Sequence, residues 1–291
     1  MAGRSPISIE ERIELEAESF SGQIAIYADN FQGDKVEINP DLVWPTASCI
    51  KVPILIELYR RVAFGEVDLG ESLTYEESDY TPGSGILKDL SPGLTLTLKD
   101  LATLMVIISD NTASNMLIDY LGKDAINNTS CDLGLKNTTL FRKIDFTARD
   151  DKGLGITTAR EYASLFRMIY SGQVWDANTS RQMLAILKGQ HYQAMLTRHL
   201  PQNLLAGDNS GRCPAITVAS KNGSISNARN DGGIFFTPWG DYILVILTRG
   251  FSDKYYHDLH ESYEYGGKIS RLLFDYYWSA SELSMKRNNS E

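Results

Sequence analysis

Pro45-Thr46-Ala47-Ser48-Cys49-Ile50-Lys51-Val52-Pro53-Ile54-Leu55-Ile56-Glu57-Leu58 reads as a turn that opens into an apolar helix. With Ser48 in the first turn, Lys51 lies three residues later on the same face, about one helical turn away. A hydroxyl and an amine become neighbours. They share that end with unpaired backbone N–H groups and the positive end of the helix dipole, which favour an anion forming there. A nucleophilic serine with a lysine base needs this geometry. The same residues also read as a plain helix start, with Ser48 as a cap and Lys51 in water, because serine favours such positions and S-x-x-K is a short pattern. The rest of the chain has to decide.

A chain of 291 residues suffices for one large domain or two lobes with a substantial core. Its 43% hydrophobic and 22% charged residues are those of a soluble globular protein. The net charge of -9 argues against nucleic acid as a partner. No stretch approaches the roughly 18 apolar residues of a membrane span. Met1 to Phe20 is charged and helix-like, unlike a signal peptide. The expected location is cytoplasmic, or periplasmic or secreted if a leader has been removed. Cys49, Cys131 and Cys213 are odd in number and contain no C-x-x-C pair, which predicts free buried thiols rather than disulfides or a zinc site. His257 and His260 read as an exposed helix start, and neither a metal nor a cofactor is expected.

Helical spacing of Ile9, Ile13, Ala17 and Phe20 predicts an N-terminal helix over residues 8–20, with Ser8 and Glu11 as its capping box. Gln23–Ala28 and Asp34–Ile38 then read as two strands across a polar turn. The Ser48 helix runs to about Ala63 and stops at Gly65, with a slight kink expected at Pro53. A Gly/Pro-rich stretch follows, holding Tyr80-Thr81-Pro82-Gly83-Ser84-Gly85-Ile86-Leu87. Helices are predicted at about 98–108, 112–121, 159–170 and 178–187, with residues 136–156 as a long surface loop. Ala215–Ser220, Gly232–Thr237 and Tyr242–Thr248 are strand-like, and a long amphipathic helix closes the chain over about 257–278. Strands at both ends with helices between them predict one α+β domain: a sheet lobe from about 1–64 and 206–291, and an inserted helical lobe over about 65–205.

Two more short motifs carry chemistry. In Ser109-Asp110-Asn111 the serine can shuttle a proton, while the Asn111 amide can donate to and accept from a substrate amide. In Lys221-Asn222-Gly223-Ser224, Gly223 lets a substrate approach a strand edge and Lys221 offers positive charge to a carboxylate and to nearby hydroxyls. Each alone is a common turn sequence. In this order, S-x-x-K, S-D-N and a K-T-G-like triad are together the signature of class A β-lactamases and related penicillin-binding proteins. The chain resembles that superfamily over nearly its whole length. The resemblance implies a five-stranded antiparallel sheet lobe beside an all-helical lobe, with the active site between them. It implies Ser48 as the acylated nucleophile and Lys51 as its base or relay. It further implies Ser109 as proton donor to the leaving nitrogen, Asn111 on the substrate's side-chain amide and Lys221 in a carboxylate subsite. The oxyanion hole would be the backbone N–H groups of Ser48 and Ser224.

Two departures limit the likeness. Asn222 replaces the triad's threonine, so the grip on a carboxylate is weakened or redirected, with Arg229 as a candidate helper. The family's deacylating glutamate, followed by an asparagine, has no counterpart in Phe146–Ile156; Asp150 and Asp151 are the substitutes on offer, beside Arg149 and Lys152. Acylation without rapid deacylation follows. The expected protein is a monomeric serine hydrolase acting on a β-lactam, a D-alanyl peptide or an ester. The alternatives are a D,D-peptidase or esterase, a β-lactam or peptidoglycan receptor, and a glutaminase-like amidase.

Overall fold

The computed structural model describes residues 7–147, 153–206 and 213–288, with side chains as far as Ser279. Arg149, Asp150, Asp151 and Lys152 lie outside them. In chain order come α1 (Ile9–Glu16), β1 (Gln23–Asp29), β2 (Lys35–Ile38), β3 (Trp44–Pro45), a 3-10 turn (Ala47–Ile50) and α2 (Lys51–Ala63). Next are β4 (Ser72–Thr74), β5 (Thr95–Thr97), α3 (Leu98–Ile107), α4 (Asn111–Leu121), α5 (Lys123–Asp132), β6 (Thr139–Leu140), β7 (Gly155–Thr157), α6 (Ala159–Tyr170), α7 (Ala177–Lys188) and α8 (Gln202–Leu205). The chain ends in β8 (Thr217–Ser220), β9 (Gly223–Ile225), β10 (Ala228–Phe236), β11 (Tyr242–Arg249) and α9 (Glu261–Asn288).

The main sheet is antiparallel, in the order β2-β1-β11-β10-β8, with β9 also on β10. Gly233 faces Ser220 and Asn230 faces Gly223, so β8 and β9 keep one register and form one edge strand interrupted at Lys221–Asn222. The sheet is therefore the five-stranded one expected, built from both ends of the chain. Alternation sends Ala25, Tyr27, Ile243, Val245 and Leu247 to one face, into a core shared with α2, α3, α4, α6 and α7. Ile26, Ala28, Leu244 and Ile246 go to the other, under α1 and α9.

Local rules set the helix ends. Ser8 and Glu11 form the predicted capping box, and Thr97 with Asp100 forms another. Pro53 is the third residue of α2, near the helix start, where a missing N–H and a fixed φ are best tolerated. Three readings are corrected, and one helix is new. The 136–156 stretch is not all loop, since β6 and β7 pair within it. Helix α5 was not foreseen; its Lys-Asp-Ala-Ile-Asn-Asn-Thr-Ser-Cys-Asp sequence has too few apolar residues to show a period. Of the three free cysteines only Cys49 is buried. His257 is exposed, but His260 is buried and its Nδ1 accepts from Ser262 N at 3.1 Å, ahead of α9. Among the described residues no helix is long and apolar enough to cross a membrane.

Candidate active site

The turn before α2 is braced from outside itself. Trp44 and Pro45 pair with Thr157 and Ile156 of β7, and Thr46 N donates to Gly155 O at 2.9 Å. Ala47 then takes a φ of +46°, and Ser109, on the far side of the site, takes +55°. A residue with a Cβ spends roughly 1–2 kcal/mol to sit there. Strain of this kind gathers where the surroundings over-determine the backbone, as at functional sites.

Lys51 is fully buried, and its Nζ donates to Ser109 O (2.7 Å), Ser109 Oγ (3.0 Å) and Asn111 Oδ1 (2.9 Å). Lys221, equally buried, enters from the break in the edge strand and donates to Ser109 Oγ (3.1 Å), Asn222 O (2.7 Å) and Asn222 Oδ1 (3.3 Å). Each ammonium thus has as many acceptors as N–H groups. Both lysines converge on Ser109. The half-buried Ser48 hydroxyl makes no hydrogen bond to a described residue.

Two buried amines around one hydroxyl cannot both hold a proton easily. Burial, and then the charge of Lys221, pushes Lys51 well below the usual lysine range, with Asp110 opposing. Burial lowers Lys221 to about 8, against the smaller pull of Cys49 and Asp231. Near neutrality Lys221 keeps its charge while Lys51 can lose its own. A neutral Lys51 has two N–H groups and a lone pair. Ser109 O and Asn111 Oδ1 can only accept, so they take the two N–H groups. The lone pair is left for a serine hydroxyl: Ser109 as the side chains stand, or Ser48 on the same helical turn.

The edge strand closes the site from the other side. A Cβ on Gly223 would lie 2.6 Å from Ser48 N and 2.8 Å from both Cys49 N and Thr46 O. Only glycine lets the strand lie so close to the serine turn. Cys49 itself is inert there, since burial pushes its thiol up to about 12. Asp110 serves the scaffold: it caps α4 through Ala113 N (2.9 Å) and accepts from Ile86 N (2.7 Å) and Leu87 N (2.8 Å). Asn115 of α4 holds Ile144 by both its N–H (2.9 Å) and its carbonyl (2.9 Å), which fixes the Lys143-Ile144-Asp145 leg of the loop.

Ser48, Lys51, Ser109, Asn111, Lys221, Asn222, Gly223 and Ser224 come together around this centre. Arg229 does not join them. It is fully buried, donates to Ile225 O, Ala228 O (3.1 Å) and Tyr255 O (3.1 Å), and stacks under Tyr256 at 4.3 Å. Its two Nη atoms are taken up by these carbonyls and its buried Nε has no partner among the described residues, so the helper role expected for it gives way to a packing one. Two residues went unread. Ser84 Oγ lies 2.7 Å from Ser109 O and 3.2 Å from Asn111 Oδ1, and Tyr263 OH lies 3.1 Å from Ser224 Oγ. Ser84 had only its Gly/Pro-rich setting as a signal, and Tyr263 had none.

A model of the Beta-lactamase enzyme family matches residues 8–277. The chain belongs to that family. It is 27% identical over 257 residues to the Beta-lactamase regulatory protein BlaB of Streptomyces cacaoi, covering 76% of this chain and 82% of that protein. It is 26% identical over 256 residues to a Beta-lactamase of Bacillus licheniformis, covering 83% and 76%. Among solved structures, a beta-lactamase from Sphaerobacter thermophilus superposes with a TM-score of 0.82 at 30% identity, covering 92% of this chain and 96% of that one. PBP-A superposes at 0.78 with 28% identity, covering 96% and 97%. A mutant of PBP-A, solved as an acyl-enzyme complex with penicillin G, superposes at 0.77 with 27% identity, covering 96% and 99%. The fold and the superfamily read from the three motifs are those of these proteins, and the chain is a serine hydrolase of the β-lactamase and penicillin-binding kind.

Proposed function

We propose that Ser48 attacks the carbonyl of a β-lactam, D-alanyl peptide or ester and is acylated, with Lys51 as base and Ser109 as the relay that protonates the leaving nitrogen. The observation that carries this reading is the convergence of two buried amines on the Ser109 hydroxyl; burial pushes both below the usual lysine range, Lys51 the further. Lys51 in its neutral form takes the proton of Ser48, and Ser109 passes a proton on while Lys221 holds the charge beside it. The backbone N–H groups of Ser48 and Ser224 form the oxyanion hole, each donor worth roughly 2.7–4 kcal/mol in the transition state. Asn111 takes the acyl-side amide, and Lys221, Asn222 and Gly223 border the leaving-group side.

Deacylation is slow in this reading. From Phe146 to Ile156 the sequence holds no glutamate or asparagine, and loss of a general base costs on the order of 10²–10⁴ in rate. A mutant of PBP-A was solved as an acyl-enzyme complex with penicillin G, the kind of adduct expected on Ser48 here. Intact mass after adding penicillin G tests both steps. A single adduct on the wild type, absent from Ser48→Ala and lasting for hours, is expected. No adduct, or one that survives Ser48→Ala, rejects the nucleophile; an adduct gone within seconds rejects slow deacylation. Ammonia release from glutamine without labelling would instead favour an amidase.

A further inference from the structure

Lys221 has no helix to hold it. It lies at the interruption between β8 and β9, and its main chain is gripped by three elements. Its N donates to Gly232 O of β10 at 3.0 Å. Its O accepts from Tyr162 OH of α6 at 2.6 Å and from Cys49 Sγ at 3.7 Å. Tyr162 reaches this carbonyl only because position 232 is glycine: a Cβ there would lie 2.6 Å from Tyr162 Cε1 and 2.9 Å from Cδ1. The tyrosine is 1% exposed, and burial first of all keeps its hydroxyl a neutral donor. Helix α6 begins just after β7, the strand that braces Trp44 and Pro45 at the entrance to the Ser48 turn. One rigid unit therefore touches both the nucleophile's turn and the lysine strand.

We infer that Tyr162 is a positioning residue: its hydroxyl, passing through the gap at Gly232, fixes the main chain of Lys221 against the Ser48 turn and so sets where the Lys221 ammonium meets Ser109. The consequence for the site rests on the roles of Lys51 and Lys221 given above; the contact itself does not. If Tyr162 merely filled the core, its ring alone would do that work, and the hydroxyl would be dispensable to the lysines.

Without the hydroxyl, the Lys221 carbonyl keeps only a weak thiol donor, residues 221–222 relax, and Nζ draws away from Ser109. The groups that bear on Lys51 are Lys221 from the edge strand, which lowers it after burial, and Asp110 at the head of α4, which raises it. Those that bear on Lys221 are Cys49 and Asp231. Tyr162→Phe leaves Lys221, Asp110 and Asp231 as they are and takes from Cys49 only the hydrogen bond of the hydroxyl, while burial still holds that thiol neutral. Moving the Lys221 charge away makes Lys51 more basic.

Lysine ¹³Cε titrations read this directly in the wild type, Tyr162→Phe and Ile169→Val, the last a core trim on the same helix away from the site. The Lys51 midpoint should rise by about half a pH unit or more in Tyr162→Phe and stay put in Ile169→Val, whatever the loss of thermal midpoint in each. Acylation by a fluorescent penicillin should slow roughly tenfold at pH 7, its acid limb moving up with the Lys51 midpoint. Gly232→Ala, which displaces the same ring from the other side, should raise the midpoint too. An unchanged Lys51 midpoint in both variants overturns the inference. A wild type that titrates as described but takes no penicillin would reject the Ser48 reading and leave the positioning role standing.

Discussion

Gly223→Ala probes the closest approach in the site. The added methyl would lie 2.6 Å from Ser48 N, where ordinary contact begins at 3.4 Å. About 0.8 Å must be found, and the atoms it meets first, Ser48 N, Cys49 N and Thr46 O, are all backbone, so no side chain can swing aside. The Ser48 turn is pinned by β7 on one side, and Lys51 behind it is held by three acceptors. The strand has to give. Overpacking of this kind costs about 1–3 kcal/mol, and each kcal/mol lowers the thermal midpoint by about 2–4 °C in a protein of this size. The larger effect falls on chemistry, because Ser224 N–H moves away from Ser48 with the strand. A shift near 1 Å at reacting atoms costs on the order of 10²-fold. The second-order rate of labelling by a fluorescent penicillin, read beside thermal unfolding, separates the two. Gly70→Ala is the control, since its Cβ would meet only the tip of the Asp68 side chain, at 3.2 Å. Gly223→Ala should be labelled about 10²-fold more slowly, and Gly70→Ala at the wild-type rate. A folded Gly223→Ala with wild-type labelling would refute the view that the edge strand is positioned by this contact.

Acylation should rise with pH as Lys51 loses its proton and fall again near 8 as Lys221 loses its own; Lys221→Ala should abolish the fall and move the rise upward, because the Lys221 charge helps hold Lys51 down. A stopped-flow pH profile decides this, and an alkaline limb that persists in Lys221→Ala would count against the assignment. Ser109→Gly removes the relay hydroxyl at a backbone conformation glycine prefers, with φ at +55°. Labelling should fall by about 10²–10⁴ while the thermal midpoint stays within about 5 °C; collapse of the fold would mean that the hydroxyl is mainly structural. Arg229→Met strands three carbonyls and should cost about 2–3 kcal/mol in denaturant unfolding, with equal effects on carboxylate-bearing and neutral substrates. Unchanged stability with a selective loss toward carboxylates would return Arg229 to the substrate's side.

Much of this protein is written locally. Periodicity placed α3, α4, α6 and α7 and the strands β1, β2, β10 and β11 to within a few residues, because burial on one face leaves a period in the sequence. The Ser8–Glu11 cap was legible because its donor and acceptor are three residues apart. Motif order selected the superfamily and named the residues that meet, since the order in which motifs appear survives where overall identity has fallen to 27%. Helix α5 stayed hidden because its apolar residues are too few to mark a face.

The tertiary structure decided what depends on contacts between distant segments. That both lysines reach Ser109, that Arg229 is walled in by Tyr255 and Tyr256, and that Ser84, Tyr263 and Tyr162 border the site all involve partners at least 25 residues apart. The stretch from Pro45 to Leu58 shows the division. Its own residues fix a turn and an apolar helix. Whether Lys51 faces water or lies dry between Ser109 and Asn111 follows from α4 and the edge strand closing over it, and desolvation, which no local pattern encodes, sets its chemistry.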